Sequence, residues 1–190
     1  MDIDIELMLK AKSGDDGAFS ELMRRHYKAV VNYIYRYTNV RENSEDLAQE
    51  VFLRIYRSRK NYRPDAKFST WLYKIATNVS LTHVKTKKVN QSLDEMEDER
   101  GGIGDPDIDV ADDLIYRKEI KEVIFQAMES LPEREKVAIM LCKYEGLSYE
   151  ETAEVLECTV GAVKAYVHRG RMKLIDKLKP YLPEGGEYGL

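Results

Sequence analysis

The stretch that decides the fold runs from Leu147 to Leu178, LSYEETAEVLECTVGAVKAYVHRGRMKLIDKL. Ser148, with Glu151 three residues on, spells a capping box: the hydroxyl accepts from the third amide of the helix and the carboxylate reaches back to the cap amide. That spacing predicts a short helix with Ala153 and Leu156 turned inward. A tight break follows at Glu157-Cys158. Thr159 can then cap a longer helix whose Val163, Val167 and Leu174 face inward. Short helix, tight turn and longer helix make the helix-turn-helix plan.

Charge separates the two helices of this stretch. The first carries Glu150, Glu151, Glu154 and Glu157, whereas residues 159–179 carry Lys164, Arg169, Arg171, Lys173, Lys177 and Lys179 against Asp176 alone. In such a motif the second helix lies in the major groove and its N-terminal residues touch base edges. The outward face then holds Thr159, Gly161, Ala162, Lys164, Ala165 and His168. Arg169, Arg171 and Lys173 are placed for phosphates, which add affinity without sequence information. A solvated amphipathic helix with a basic face satisfies the same pattern.

Upstream, helical periodicity continues almost throughout. Phe19, Leu22, Met23, Tyr27, Val30, Val31 and Ile34 recur at spacings of three and four. A second helix follows Asn43, with Leu47, Val51 and Ile55 as its buried stripe and Ala48, Phe52 and Tyr56 widening it. Pro64 marks the stretch from Asn61 to Lys67 as a loop. Ser69 is then an N-cap for a third helix with Trp71, Leu72, Ile75, Ala76 and Val79 inward, ending in the basic run Lys85, Lys87 and Lys88. Near Leu114 periodicity resumes. Pro132 suits the first turn of a helix that runs to about Tyr144 and stops at Gly146, a C′ glycine. No strand pattern and no repeat is visible, so the fold class is all-α, with two small helical domains.

Between the domains lies a different composition. Residues 91–115 include Gly101, Gly102, Gly104 and Pro106 and carry 1 Lys/Arg against 10 Asp/Glu, which reads as a flexible acidic linker. Residues 1–90 carry 17 Lys/Arg against 11 Asp/Glu, so a basic block precedes the acidic strip. The formal net charge of the whole chain, -4, hides this segregation.

Two upstream segments carry further chemistry. Asp46, Glu50 and Arg54 are four apart and line one helix face, with Gln49, Leu53 and Arg57 beside them. Opposite a buried stripe, that strip can dock a partner helix; an ordinary solvated face fits equally. In Phe68 to Asn78, aromatics alternate with hydroxyl, amide and cationic groups. Opening a duplex needs surfaces that accept unstacked bases, and aromatic stacking contributes roughly 1–3 kcal/mol per base. Phe68 and part of Trp71 also suit a core. Asn78, Lys74 and the loop from Asn61 to Lys67 are the better base contacts.

Several classes are excluded. Cys142 and Cys158 form no C-x-x-C and the three histidines are scattered, so no metal site and no cofactor is expected. Thiols without a framework fit a reducing compartment. The acidic N-terminus is no signal peptide, and no stretch is long enough to span a bilayer. Asp105-Pro106-Asp107-Ile108-Asp109 opens like a calcium loop. However, Val110 stands where the loop needs Gly, and Tyr116 where it needs Glu. No phosphate loop, nucleophile elbow or histidine pair appears, so intrinsic catalysis is not expected.

Taken together, three segments resemble the extracytoplasmic-function (ECF) class of bacterial RNA polymerase sigma factors, over about residues 20–90 and 116–178. The stretch SEDLAQEVFLRIY (44–56) resembles the family's polymerase-binding helix, KFSTWLYKIATN (67–78) its −10 melting segment, and LPEREKVAIMLCKYEGLSYEETAEVLECTVGAVKAYVHRGRMKL (131–174) its −35 domain. The resemblance implies region 2 over 1–90, a linker over 91–115, region 4 over 116–180 and a tail over 181–190. It implies core-polymerase contacts by Asp46, Gln49, Glu50, Leu53, Arg54 and Arg57. The −10 contacts would be Lys67, Ser69, Trp71, Lys74, Asn78 and Lys85, and the −35 contacts the nine residues of the second helix named above.

The implied partners are core RNA polymerase, promoter duplex, the melted −10 strand and an anti-sigma protein. The implied place of action is the cytoplasm, without membrane insertion. One departure is Ala165-Tyr166, where the family commonly carries Ser-Arg, which puts the −35 preference in doubt. In relatives the linker threads near the polymerase active-site cleft, and neutralising Asp105, Asp107 and Asp109 would test mimicry of nucleic acid there. A linker of about 24 residues spans roughly 25–30 Å when relaxed. The promoter elements lie about 70 Å apart, so polymerase is expected to set the spacing. A stand-alone helix-turn-helix regulator would share the C-terminal evidence but leave residues 44–80 unexplained.

Overall fold

The chain's structure is a computed structural model that describes residues 2–91 and 111–181, with side chains described for 2–87 and 120–181. Eight α-helices follow one another, and no strand occurs among the described residues. The N-terminal half comprises α1 (Ile3–Lys12), α2 (Asp16–Thr38), α3 (Arg41–Ser58) and α4 (Phe68–Gln91). The C-terminal half comprises α5 (Ala111–Glu129), α6 (Glu133–Ile139), α7 (Tyr149–Leu156) and α8 (Val160–Leu178). A π-helical turn over Met140–Tyr144 extends α6. Helix α5 thus begins inside the span read as linker, and the calcium-loop residues Asp105 to Asp109 lie outside the described residues.

Caps explain the boundaries. Asp15 accepts from the Ala18 amide at 2.9 Å to start α2, and Asn39 ends that helix in the left-handed region at φ 56. Both halves of the Ser148–Glu151 capping box are made. Glu157 takes φ 51 at the tight break, and the Thr159 hydroxyl accepts from Ala162 at 3.2 Å to begin α8. Gly146 sits at φ 69 just past the π turn, where a left-handed residue closes a helix.

Three local expectations need correcting. Ser69 lies inside the first turn of α4 and is not its cap; the amides of Thr70 and Trp71 bond back to the Lys67 carbonyl. Pro132 is itself the N-cap of α6, one residue before the first turn. Met23, read as part of the inward stripe of α2, is 40% exposed. Period places Met23 in the same sector as Val30 and Ile34, which are buried, so period alone does not account for its exposure.

Helix α1 was not read from the sequence. Asp2 caps it, and Met8 and Ala11, three apart, are buried. It locks onto the rest through Asp4, which meets Arg25 at 2.8 Å and His26 at 2.7 Å, and through Lys12, which donates to the Tyr62 carbonyl at 2.7 Å.

The apolar core is continuous across the two halves. Leu22, Ile34, Val51, Ile55 and Leu72 belong to the same cluster as Met128, Val137, Met140, Leu141 and Val155. A smaller cluster of Ala138, Ala153, Val163 and Val167 holds the helix-turn-helix on α6. Inside the N-terminal half, Tyr33 is fully buried and its hydroxyl lies 2.7 Å from that of Thr77. Burial pushes the Tyr33 phenol far above its ordinary range, so it stays neutral.

Lys136 is also buried. It donates to the Tyr37 carbonyl at 2.8 Å, pairs with Glu129 and lies 4.4 Å from the centre of the Tyr37 ring. Tyr37 is in the last turn of α2, where carbonyls lack helical partners and the helix end is negative. A buried lysine of the C-terminal half therefore closes a helix end of the N-terminal half. Among the described residues no helix is long and apolar enough to cross a membrane.

Candidate nucleic-acid interface

Helix α8 presents the outward face read from sequence. Thr159, Gly161, Lys164 and His168 are exposed, and Ala162 and Ala165 are half-buried. Opposite them Val163 and Val167 are buried. The face is polar and small at its N-terminal end, as major-groove entry requires.

Arg169 and Lys173 do more than point at solvent. Arg169 donates to the Glu135 carboxylate at 3.0 Å and Lys173 at 2.9 Å, and that carboxylate is only 6% exposed. Burial alone would disfavour the charged carboxylate; Lys173 and Arg169 outweigh it and hold Glu135 below the usual range. Both cations thus tie α8 to α6, with about half of each side chain still open to a phosphate. Between them Gly170 is buried against Ile139. Tyr166 lies beneath Arg169 with its ring centre 5.3 Å from the guanidinium carbon. Sequence reading missed Glu135 and Gly170, because nothing local marks either as a contact of α8. Arg171 is half-buried on the same helix.

Around the start of α4 the aromatics split. Phe68 and Tyr62 are buried, and Trp71 is half-buried against them, with ring centres 6.4 and 5.3 Å away. Trp71 is therefore part core and part surface. Asn78 is exposed and Ser69 half-buried. Three of the cations are engaged. Lys67 meets Glu151 at 2.8 Å, Lys74 meets Glu157 at 2.7 Å, and Lys85 lies 3.7 Å from Glu133. Tyr73 is buried and donates to Glu145, a partner that nothing in the sequence marked. Burial and that bond together push its phenol far up.

Helix α3 buries Ala48, Val51, Phe52 and Ile55 and exposes the opposite strip. Asp46, Gln49, Leu53, Arg54 and Arg57 are exposed, and Glu50 is half-buried and bonded to Arg54 at 2.7 Å. Leu53 is 48% exposed, an apolar side chain amid charges. Among the described residues no group of three His, Cys, Asp or Glu could hold a metal ion, and Cys142 and Cys158 are free thiols.

An all-helical chain with a basic, aromatic-bearing N-terminal domain and a C-terminal helix-turn-helix defines a DNA-binding protein of two domains. Comparison with known proteins narrows that class. Residues 22–89 match Sigma-70 region 2, and residues 121–174 match Sigma-70 region 4. The RNA polymerase sigma-H factor of Pseudomonas aeruginosa is 33% identical over 95% of this chain and 96% of its own length. The ECF RNA polymerase sigma-E factor of Haemophilus influenzae is 33% identical over 94% of this chain and 97% of its own. A solved structure of the sigma factor RpoE in complex with the anti-sigma factor NepR, from Bartonella quintana, superposes with a TM-score of 0.69. It is 20% identical and aligns over 85% of this chain and 96% of that one. The chain belongs to the ECF sigma factors of bacterial RNA polymerase. It is a non-enzymatic initiation factor that works with core polymerase on promoter DNA.

Proposed function

We propose that three separate surfaces divide the work of initiation. The exposed strip of α3, with Asp46, Gln49, Glu50, Leu53, Arg54 and Arg57, docks on core polymerase. The loop before α4 and the outward side chains Lys67, Ser69, Trp71, Lys74, Asn78 and Lys85 receive the opened −10 strand. Helix α8 enters the major groove of the −35 element through Thr159, Gly161, Ala162, Lys164, Ala165 and His168. Arg169, Arg171 and Lys173 face the phosphates there. Residues 1–90 and 116–180 act as the two working domains, 91–115 as their tether and 181–190 as a tail. The work takes place in the cytoplasm. A protein of the same fold was captured with an anti-sigma factor, which supports an anti-sigma protein as regulator.

The observation that carries this reading is the two-sidedness of α3. Its buried stripe fixes it in the domain, and Leu53 stands 48% exposed in a charged strip on the other side. An apolar anchor ringed by charge is the usual make-up of a docking patch. In vitro transcription with core polymerase on a randomised promoter library tests the whole assignment. Enriched −35 and −10 elements are the expected result, and no transcription above core alone would overturn it.

A further inference from the structure

A cavity of about 610 Å³ lies among α2, the first turn of α3, α5 and the π-helical turn after α6. That volume is within the roughly 300–1,000 Å³ of small-molecule sites. None of the side chains assigned above to polymerase or DNA lines it. Its lining divides by chemistry. Met128 and Met140 are buried and Val31 is half-buried, which makes an apolar floor. Tyr35, Phe125 and Tyr144 add aromatic rings, and the Tyr144 ring is largely exposed. Among the described lining residues Lys28, Arg36, Arg41 and Lys121 are cations, each of them exposed, and Glu45 is the one acid. Glu145, behind the lining, answers Arg36 at 3.0 Å, and the Arg36 guanidinium carbon lies 4.9 Å from the Tyr144 ring centre. The surplus at the rim therefore stays positive beside an aromatic and apolar interior. Helix α3 also starts on this wall with no side chain capping its first amides, an end that favours negative charge.

That combination selects a ligand. An inorganic anion would answer the rim and leave the rings and methionines against water. An uncharged aromatic molecule would leave the surplus positive charge unanswered, and a fatty acid would bring a single carboxylate to it. A flat ring carrying several negative charges at one end meets both parts of the cavity. We propose that the cavity binds a free nucleotide, a nucleoside di- or triphosphate. Its base sits over the methionine floor among the rings of Tyr35, Phe125 and Tyr144, and its phosphates meet Lys28, Arg36, Arg41 and Lys121. Because α2 and α3 wall one side and α5 and the π turn the other, a bound nucleotide stabilises the folded chain. The site is independent of the assignment of α3, α4 and α8 to polymerase and DNA.

Isothermal titration calorimetry on the full chain tests the site. ATP or GTP should bind with a Kd of about 10–100 μM. At about 1 mM nucleotide the melting temperature should rise by about 3–8 °C. Inorganic tripolyphosphate carries the charge without the ring, and adenosine the ring without the charge. Each should bind at least about tenfold more weakly than the nucleotides. Tripolyphosphate binding as tightly as ATP reduces the cavity to a general anion patch, and adenosine binding as tightly reduces it to an apolar pocket; either result overturns the proposal. So does the absence of binding by both nucleotides at about 1 mM. A double variant, Lys28→Ala with Lys121→Ala, removes two exposed rim cations and alters no proposed DNA or polymerase contact. It should bind ATP and GTP about tenfold or more weakly, with a ligand-free melting temperature within a few degrees of the parent. Unchanged nucleotide binding by that variant places the ligand on another basic surface, such as α8, and overturns the site.

Discussion

A β-carbon placed on Gly170 would stand 2.5 Å from Cδ1 of Ile139 and 3.4 Å from Cβ of Glu135. Helix α8 therefore rests directly on α6 at that residue, and the reading helix is aimed by its absence of a side chain. Gly170→Ala gains about 1 kcal/mol of helix propensity. Overpacking costs about 1–3 kcal/mol and should win. In an Ile139→Val background the Cδ1 atom is gone, and the same change should become neutral or stabilising. A double-mutant cycle by urea denaturation reads the coupling between the two sites.

Beside that contact, Glu135 is clamped by Arg169 and Lys173. Its carboxyl is held below the ordinary value of 4.5, so its contribution is complete at neutral pH and is lost as pH falls through the lowered folded value. Glu135→Gln should cost about 1–2 kcal/mol at neutral pH. The gap between variant and parent should narrow in the acid range below 4.5. Denaturation midpoints across an acid series check this; a gap that widened on acidification would contradict the clamp.

The clamp also separates two kinds of cation on α8. Lys164→Ala and His168→Ala should weaken promoter binding by the holoenzyme about tenfold and leave thermal stability unchanged, since both side chains are exposed. Arg169→Ala should lower both, because it removes one of the two cations on a buried carboxylate as well as a phosphate contact. Parallel footprinting and melting experiments distinguish the two outcomes.

On α3, Leu53→Asp combined with Gln49→Ala should reduce affinity for core polymerase about tenfold or more. Melting temperature should stay within a degree or two of the parent, since both positions are exposed. A pull-down with core polymerase provides the measurement. Normal retention of the variant would reassign this strip to solvent.

In the N-terminal core, Tyr33→Phe removes the partner of the buried Thr77 hydroxyl. A loss of about 1–2 kcal/mol is expected. Tyr33→Phe with Thr77→Val should recover much of it, because both polar atoms are then gone.

Much of this was visible in the chain's own order. The capping box at Ser148, the tight break at Glu157-Cys158 and the cap at Thr159 are short-range devices, and each formed where its spacing placed it. Period also places Val51 and Ile55 of α3 and Val163 and Val167 of α8 inside, while Leu47 and Leu174, read into the same stripes, are only half-buried. Ser69 failed as a cap because Lys67 offers its carbonyl two residues earlier and the Phe68 ring seats in the core. Helix α1 escaped notice because it is short and only Met8 and Ala11 are fully buried, with Leu7 and Leu9 packed partly against the core.

The sequence by itself determined the helices, the turn between α7 and α8 and the segregation of charge, since each depends on residues within a few positions of one another. Only the tertiary structure decided who faces whom. Tyr73 and Glu145 are 72 positions apart, Arg36 and Glu145 109 positions apart, and Lys136 and the Tyr37 carbonyl 99. Local period carries no record of such pairings; they arise when a shared apolar core brings distant surfaces together, and the opposite charges on those surfaces then choose the register.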